Sequence, residues 1–331
     1  MMNSLPTLPA WLQTASNTFM TTLTGLAFET IPFLLLGTFI SSCIHVFVPD
    51  STLRRLFPRN RLLSILVALI AGAFVPICEC GTVPLARRLR QKGLPLSTAA
   101  AFLVAAPLAN PMTILSTYVA FNGGPYPIYL MRLVLGLASA FVVALAVELL
   151  TRKKDGATEM LGRDEDGATS AAEEAEETAE QPHVHAEELG RSFWSRLEEL
   201  FEHTSRDFLD SARFLILGIT VASALRSIMP ADALGTALGH PVAALGAGAI
   251  SAYVLSLCSS ADAFVARSLF APASYPAALV FLLLGPMIDL KNSILLSRFV
   301  RPSRLLVFIL LIVAVCMIMG FAATPLFGGS I

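Results

Sequence analysis

Cys78-Glu79-Cys80 sets two thiols and a carboxylate in three consecutive positions, inside the stretch "VPICECGTVPLARRLR" (75–90). Thiolates are the soft ligands of proteins, so the pair suits a thiophilic solute or a soft cation. Glu79 could take a thiol proton or a coupling proton. In an α-helix, residues two apart point to nearly opposite sides, so sharing one ligand requires irregular backbone. Pro76, Gly81 and Pro84 supply the means: the prolines lack an N–H, and glycine accepts positive φ. A second such stretch, "LCSSADAFVAR" (257–267), carries Cys258, Ser259, Ser260 and Asp262. A third, "APLANPMT" (106–113), brackets Asn110 between Pro107 and Pro111, and "GPMIDLKNS" (285–293) carries Asp289 beside Lys291 and Asn292. Asp289 and Lys291 read equally as a site pair or as charges near a solvated end. Glu29 and Asp210, with Glu79, are candidates for proton coupling; the first two read rather as interfacial charges. Cys43 and Cys316 read as small buried hydrophobes. Arg87 reads as a flanking charge with a snorkelling side chain. His183 and His185 read as linker composition.

The elements that must position these groups lie in a bilayer. The 331 residues are 55% hydrophobic and 14% charged, with mean hydropathy +0.70, outside the soluble range. Apolar stretches fall at about 19–48, 62–86, 96–121, 127–150, 207–229, 242–266, 275–297 and 303–325, near the length that crosses a hydrocarbon core. They are continuous rather than alternating, which points to helices and away from a β-barrel. The chain therefore reads as an all-α polytopic membrane protein. Its five cysteines all lie in or beside apolar segments and do not resemble a disulfide framework. Without Lys or Arg in the first 53 residues, the first helix is expected to persist in the mature protein. Residues 151–205 differ: acidic, Ala-rich and without apolar periodicity, they read as a cytoplasmic linker, with an amphipathic surface helix over 193–208.

The chain also repeats itself. "FLLLG" (33–37) matches "FLILG" (214–218), and at the same offset Glu29 meets Asp210. With one-residue slips Cys78 meets Cys258, Arg87 meets Arg267, Pro107 meets Pro286 and Asn110 meets Asp289. This divides the protein into a first membrane repeat (1–150), the linker (151–205) and a second repeat (206–331). Basic clusters at 54–61, 87–92, 152–154 and 298–304 belong on the cytoplasmic side. Both ends of 62–86 are then cytoplasmic, so that segment enters and returns, and 242–266 does so from the outside. Three transmembrane helices and one re-entrant hairpin per repeat put the repeats in inverted topology, the plan of many secondary transporters. Eight full spans with parallel halves is the alternative.

The stretch "PICECGTVPLARRLRQKGLPLSTAAAFLVAAPLANPMTILSTYVAF" (76–121) resembles the signature of a predicted-permease family, also catalogued as DUF318, that includes the methylarsenite efflux permeases; "LCSSADAFVARSLF" (257–270) resembles its second signature. The resemblance covers most of the chain outside the linker. It implies a secondary permease, some of whose relatives export trivalent organoarsenicals, with Cys78 and Cys80 as candidate thiol ligands and Cys258 as a third. The residues accordingly suggest an inner-membrane protein, not an enzyme, with no cofactor, whose partners are the lipid bilayer and a small solute, not nucleic acid; a homo-oligomer is compatible with this. No GxxxxGK[ST] motif occurs in the sequence, so the expected coupling is to a gradient. Two alternatives stand beside an organoarsenical permease: a divalent-metal ion or anion permease, and a membrane thiol–disulfide electron carrier using Cys78 and Cys258.

Overall fold

In the computed structural model, residues 10–47, 57–58, 60–75, 79–152, 193–228, 241–259, 261–270 and 274–327 are described, and every regular element among them is helical. The chain runs through α1 (Ala10–Phe47), α2 (Arg61–Phe74), α3 (Glu79–Gln91), α4 (Leu96–Ala109), α5 (Pro111–Phe121) and α6 (Ile128–Arg152). It continues as α7 (Phe193–Ile228), α8 (Pro241–Leu255), α9 (Asp262–Phe270), α10 (Tyr275–Met287), α11 (Leu290–Ser297) and α12 (Pro302–Ala323), and closes in a 3-10 turn at Thr324–Phe327. The order is thus long helix, short pair, broken helix, long helix, on each side of residues 153–192.

The prolines and caps explain the breaks. Pro111 cannot donate to the helix before it, so α4 stops at Ala109, and the Asn110 side chain accepts from the Met112 N–H (3.0 Å) to start α5. Asp289 acts the same way, accepting from the Asn292 N–H (2.7 Å) to start α11. Segments 62–86 and 242–266 each fold as two short helices, α2 with α3 and α8 with α9. Among the described residues, six helical stretches are long and apolar enough to cross a membrane: Ala15–Cys43, Leu96–Phe121, Ile128–Thr151, Leu200–Leu225, Tyr275–Ser297 and Pro302–Phe327. The expected surface helix over 193–208 is not a separate element. It is continuous with the following span in the 36-residue α7, since no proline interrupts that stretch. Most of the linker, with His183 and His185, lies outside the described residues.

The layers are concentric. In Tyr275–Ser297 89% of the most apolar window is buried, and in Leu96–Phe121 72%, against 28% in Ala15–Cys43. The broken helices α4–α5 and α10–α11 therefore form the centre, and α1, α6, α7 and α12 the wall. The wall turns Phe28, Ile216, Leu310 and Ile318 outward, as a lipid-facing surface requires. On α1 and α7, a glycine lets the wall approach the helices that carry the buried charges. A Cβ on Gly37 of α1 would stand 2.3 Å from the Gly81 Cα of α3, and one on Gly218 of α7 would stand 2.9 Å from the Lys291 Cα of α11. These are the last residues of the matched "FLLLG" and "FLILG" stretches.

Candidate substrate site

Glu79 opens α3, and Asp289 caps α11. Both carboxylates point at Lys291, whose Nζ stands 2.9 Å from Glu79 Oε1 and 2.9 Å from Asp289 Oδ2. The ammonium also donates to the Ser256 carbonyl (2.9 Å). All four residues are buried. An ammonium in a dry interior keeps its charge only with such partners, and the paired carboxylates supply them. The start of a helix favours a carboxylate besides, through the positive end of its dipole.

The backbone between α8 and α9 is bent to reach this group. Ser256 holds a left-handed φ of 47°, costly for a residue with a Cβ. Its hydroxyl donates to the Tyr253 carbonyl (3.1 Å) and accepts from the Leu290 N–H (3.2 Å), which fixes the bend against α11. Two residues on, Cys258 is buried in one apolar cluster with Cys80, walled by Leu26 and Leu34 of α1 and by Leu215 and Ile219 of α7. The Lys291 ammonium lies within electrostatic reach of Cys80. Glu29, half-buried on α1, is hydrogen-bonded to Cys258. Neither cysteine is in a disulfide. Two thiols from distant parts of the sequence thus adjoin a buried lysine paired to two carboxylates.

The other expected site residues fall elsewhere. Cys78 and Ser260 lie outside the described residues. Ser259 is buried beside Cys258. The Asn110 side chain spends its acceptor on the Met112 N–H, as a helix cap. Asp262 opens α9 and makes a two-pronged pair with Arg132 of α6, at 3.0 Å and 2.6 Å; Arg132 also donates to Thr117 of α5 (2.7 Å). Asp210 diverges from its sequence partner Glu29. It meets Arg298 (2.7 Å) and Arg213 (2.5 Å) in a partly exposed network, away from Lys291. The solvated alternative for Asp289 and Lys291 is not the arrangement found, since both are fully buried.

Two contributors, Arg132 and Ser256, escaped the sequence reading, and a third, Lys291, was named there without being resolved. Arg132 carried a usable signal, a lone cation amid "IYLMRLVLG" (128–136), because charges inside apolar spans are functional candidates by default. Lys291 was visible but ambiguous, four residues from Met287 and seven from Arg298. Ser256 carried none, because a left-handed bend leaves no mark in residue type.

A family model described as a predicted permease, ArsP_1, matches residues 15–324. The UPF0718 protein YcgR of Bacillus subtilis is 32% identical over 292 residues, covering 88% of this chain and 91% of that protein. A Streptococcus mutans protein named "Putative two-component membrane permease complex subunit" is 30% identical over 297 residues, with the same two shares. No solved structure matches the chain.

Proposed function

The chain belongs to the ArsP_1 family of predicted permeases, and on that premise we propose that it is a secondary permease whose small solute binds between Cys80 and Cys258. The observation that carries this reading is the shared burial of those two thiols beside Glu79, Lys291 and Asp289. A thiophilic solute such as a trivalent organoarsenical suits two thiols and no more. Each As–OH takes one thiol proton and leaves as water while an As–S bond forms, and hydrolysis on the far side reverses both steps. Two such bonds hold the solute without the closed cage that would trap it. Glu29, hydrogen-bonded to Cys258, is placed to accept the thiol proton or return it; Cys78, next to Glu79 in sequence, is the alternative thiol partner for Cys80.

Alternating access fits the arrangement. The repeated element order, the paired breaks at Asn110 and Asp289 and the paired glycines Gly37 and Gly218 support two repeats. With the basic clusters taken as cytoplasmic, α2–α3 and α8–α9 act as hairpins that enter from opposite faces. A divalent-metal permease is less well served, because the Lys291 ammonium occupies the place between Glu79 and Asp289 that a cation would take.

The purified protein in liposomes, given methylarsenite outside, tests the reading. Cys80→Ser and Cys258→Ser are each expected to abolish most of the flux, with Cys43→Ser unchanged. Flux that survives both site substitutions overturns the two-thiol site. A Cys80–Cys258 bridge that cycles with added oxidant and reductant, in a protein without flux, selects the electron carrier instead.

A further inference from the structure

Two cavities adjoin between the arginine-rich end and the Lys291 group. The outer one, about 60 Å³, is walled by α3, α4, α6 and α12, with Arg87 and Arg304 in its lining. The inner one, about 10 Å³, touches Glu79, Thr82 and Asn292 and has room for about one water. Val83, Leu103 and Leu296 line both. These three come from α3, α4 and α11, so both sequence halves contribute to the partition. Beyond it, Glu79 Oε2 and Asn292 Oδ1 are buried without a hydrogen-bond partner. Such oxygens are costly to leave unmet, and what they lack is a donor.

We propose that Val83, Leu103 and Leu296 form an apolar gate between a cytoplasmic vestibule and the buried site, and that what passes it is a small uncharged solute bearing O–H donors. The side chains are hydrocarbon, so the closed gate excludes water and ions. The arginines at the mouth belong to the basic side of the chain, which places the vestibule at the cytoplasm. Behind the gate, the carboxylate and amide oxygens repel an anion and accept hydrogen bonds from hydroxyl groups. The direction and cargo of this route rest on the permease reading; the gate itself does not.

The test uses the full chain in inside-out vesicles and a methanethiosulfonate ethylammonium reagent. Modification is read by mass spectrometry at one introduced cysteine, so the native thiols do not enter. Ala100→Cys reports on the outer cavity and Thr82→Cys on the inner one. Ala100→Cys is expected to react at least about tenfold faster than Thr82→Cys. Trimming one gate leucine, by Leu103→Ala or Leu296→Ala, is expected to speed Thr82→Cys about tenfold, the scale set by the apolar area removed. The Ala100→Cys rate stays unchanged. Leu103→Val gives a smaller gain in the same direction if the alanine variants fail to fold. Equal rates at the two reporters, or a Thr82→Cys rate that none of the gate variants moves, overturn the gate. No solute is present, so a failed gate and a failed permease reading show up in different experiments.

Discussion

Arg132 and Lys291 are both wholly buried cations, and the two are held differently. Lys291 is a point charge shared among Glu79, Asp289 and a carbonyl, a setting in which one partner can leave while others remain. Arg132 is a planar fork locked on Asp262 by two hydrogen bonds, which fixes direction as well as charge. The first arrangement suits a site that must exchange partners; the second suits an anchor for α9. Removing one member of a buried pair leaves the other uncompensated, so Arg132→Ala and Asp262→Ala are each expected to cost about 3–5 kcal/mol. The double variant should lose clearly less than the sum of the two. Denaturant unfolding of the three variants in detergent checks this, and additive losses would show that the pair is not coupled. The sequence exposed the carboxylates and thiols of the site by their type, but their cationic partners depend on which helices meet. That is a property of packing, which spacing along one strand of text does not carry.

At the scale of elements, the breaks were legible and the crossings were not. An Asn or Asp after a proline-bearing apolar run marks where a new helix starts, and Asn110 and Asp289 cap α5 and α11 there. Nothing in "FLLLG" says what its glycine touches. The structure shows Gly37 against the Gly81 backbone and Gly218 against Lys291, so α1 and α7 each cross a site-bearing element at a point without a side chain. Gly37→Ala is expected to destabilise by about 1–3 kcal/mol, because the crossing is backbone on backbone and has no side chain to yield. Gly25→Ala on the same helix meets nothing within 4 Å. It should be neutral or stabilising by about 0.5–1 kcal/mol, as expected where glycine only adds freedom to the unfolded chain. Thermal melts of the two variants separate these outcomes, and equal shifts would mean the crossing is not as tight as drawn.

Across the whole molecule, part of the buried charge is balanced between the two sequence halves, in the Arg132–Asp262 and Glu79–Lys291 pairs. Glu79 and Arg132 precede residue 153, while Lys291, Asp289 and Asp262 follow residue 192. Either part inserted alone carries buried charge that only the other can neutralise. An orphaned part is therefore expected to betray itself by unsatisfied charge in the lipid, and a completed molecule is not. Expressed as separate chains cut near residue 170, each fragment should be degraded alone and survive when both are made together, as immunoblots of membrane fractions would report. Stable solitary fragments would mean that each part neutralises its own charges before the two ever meet.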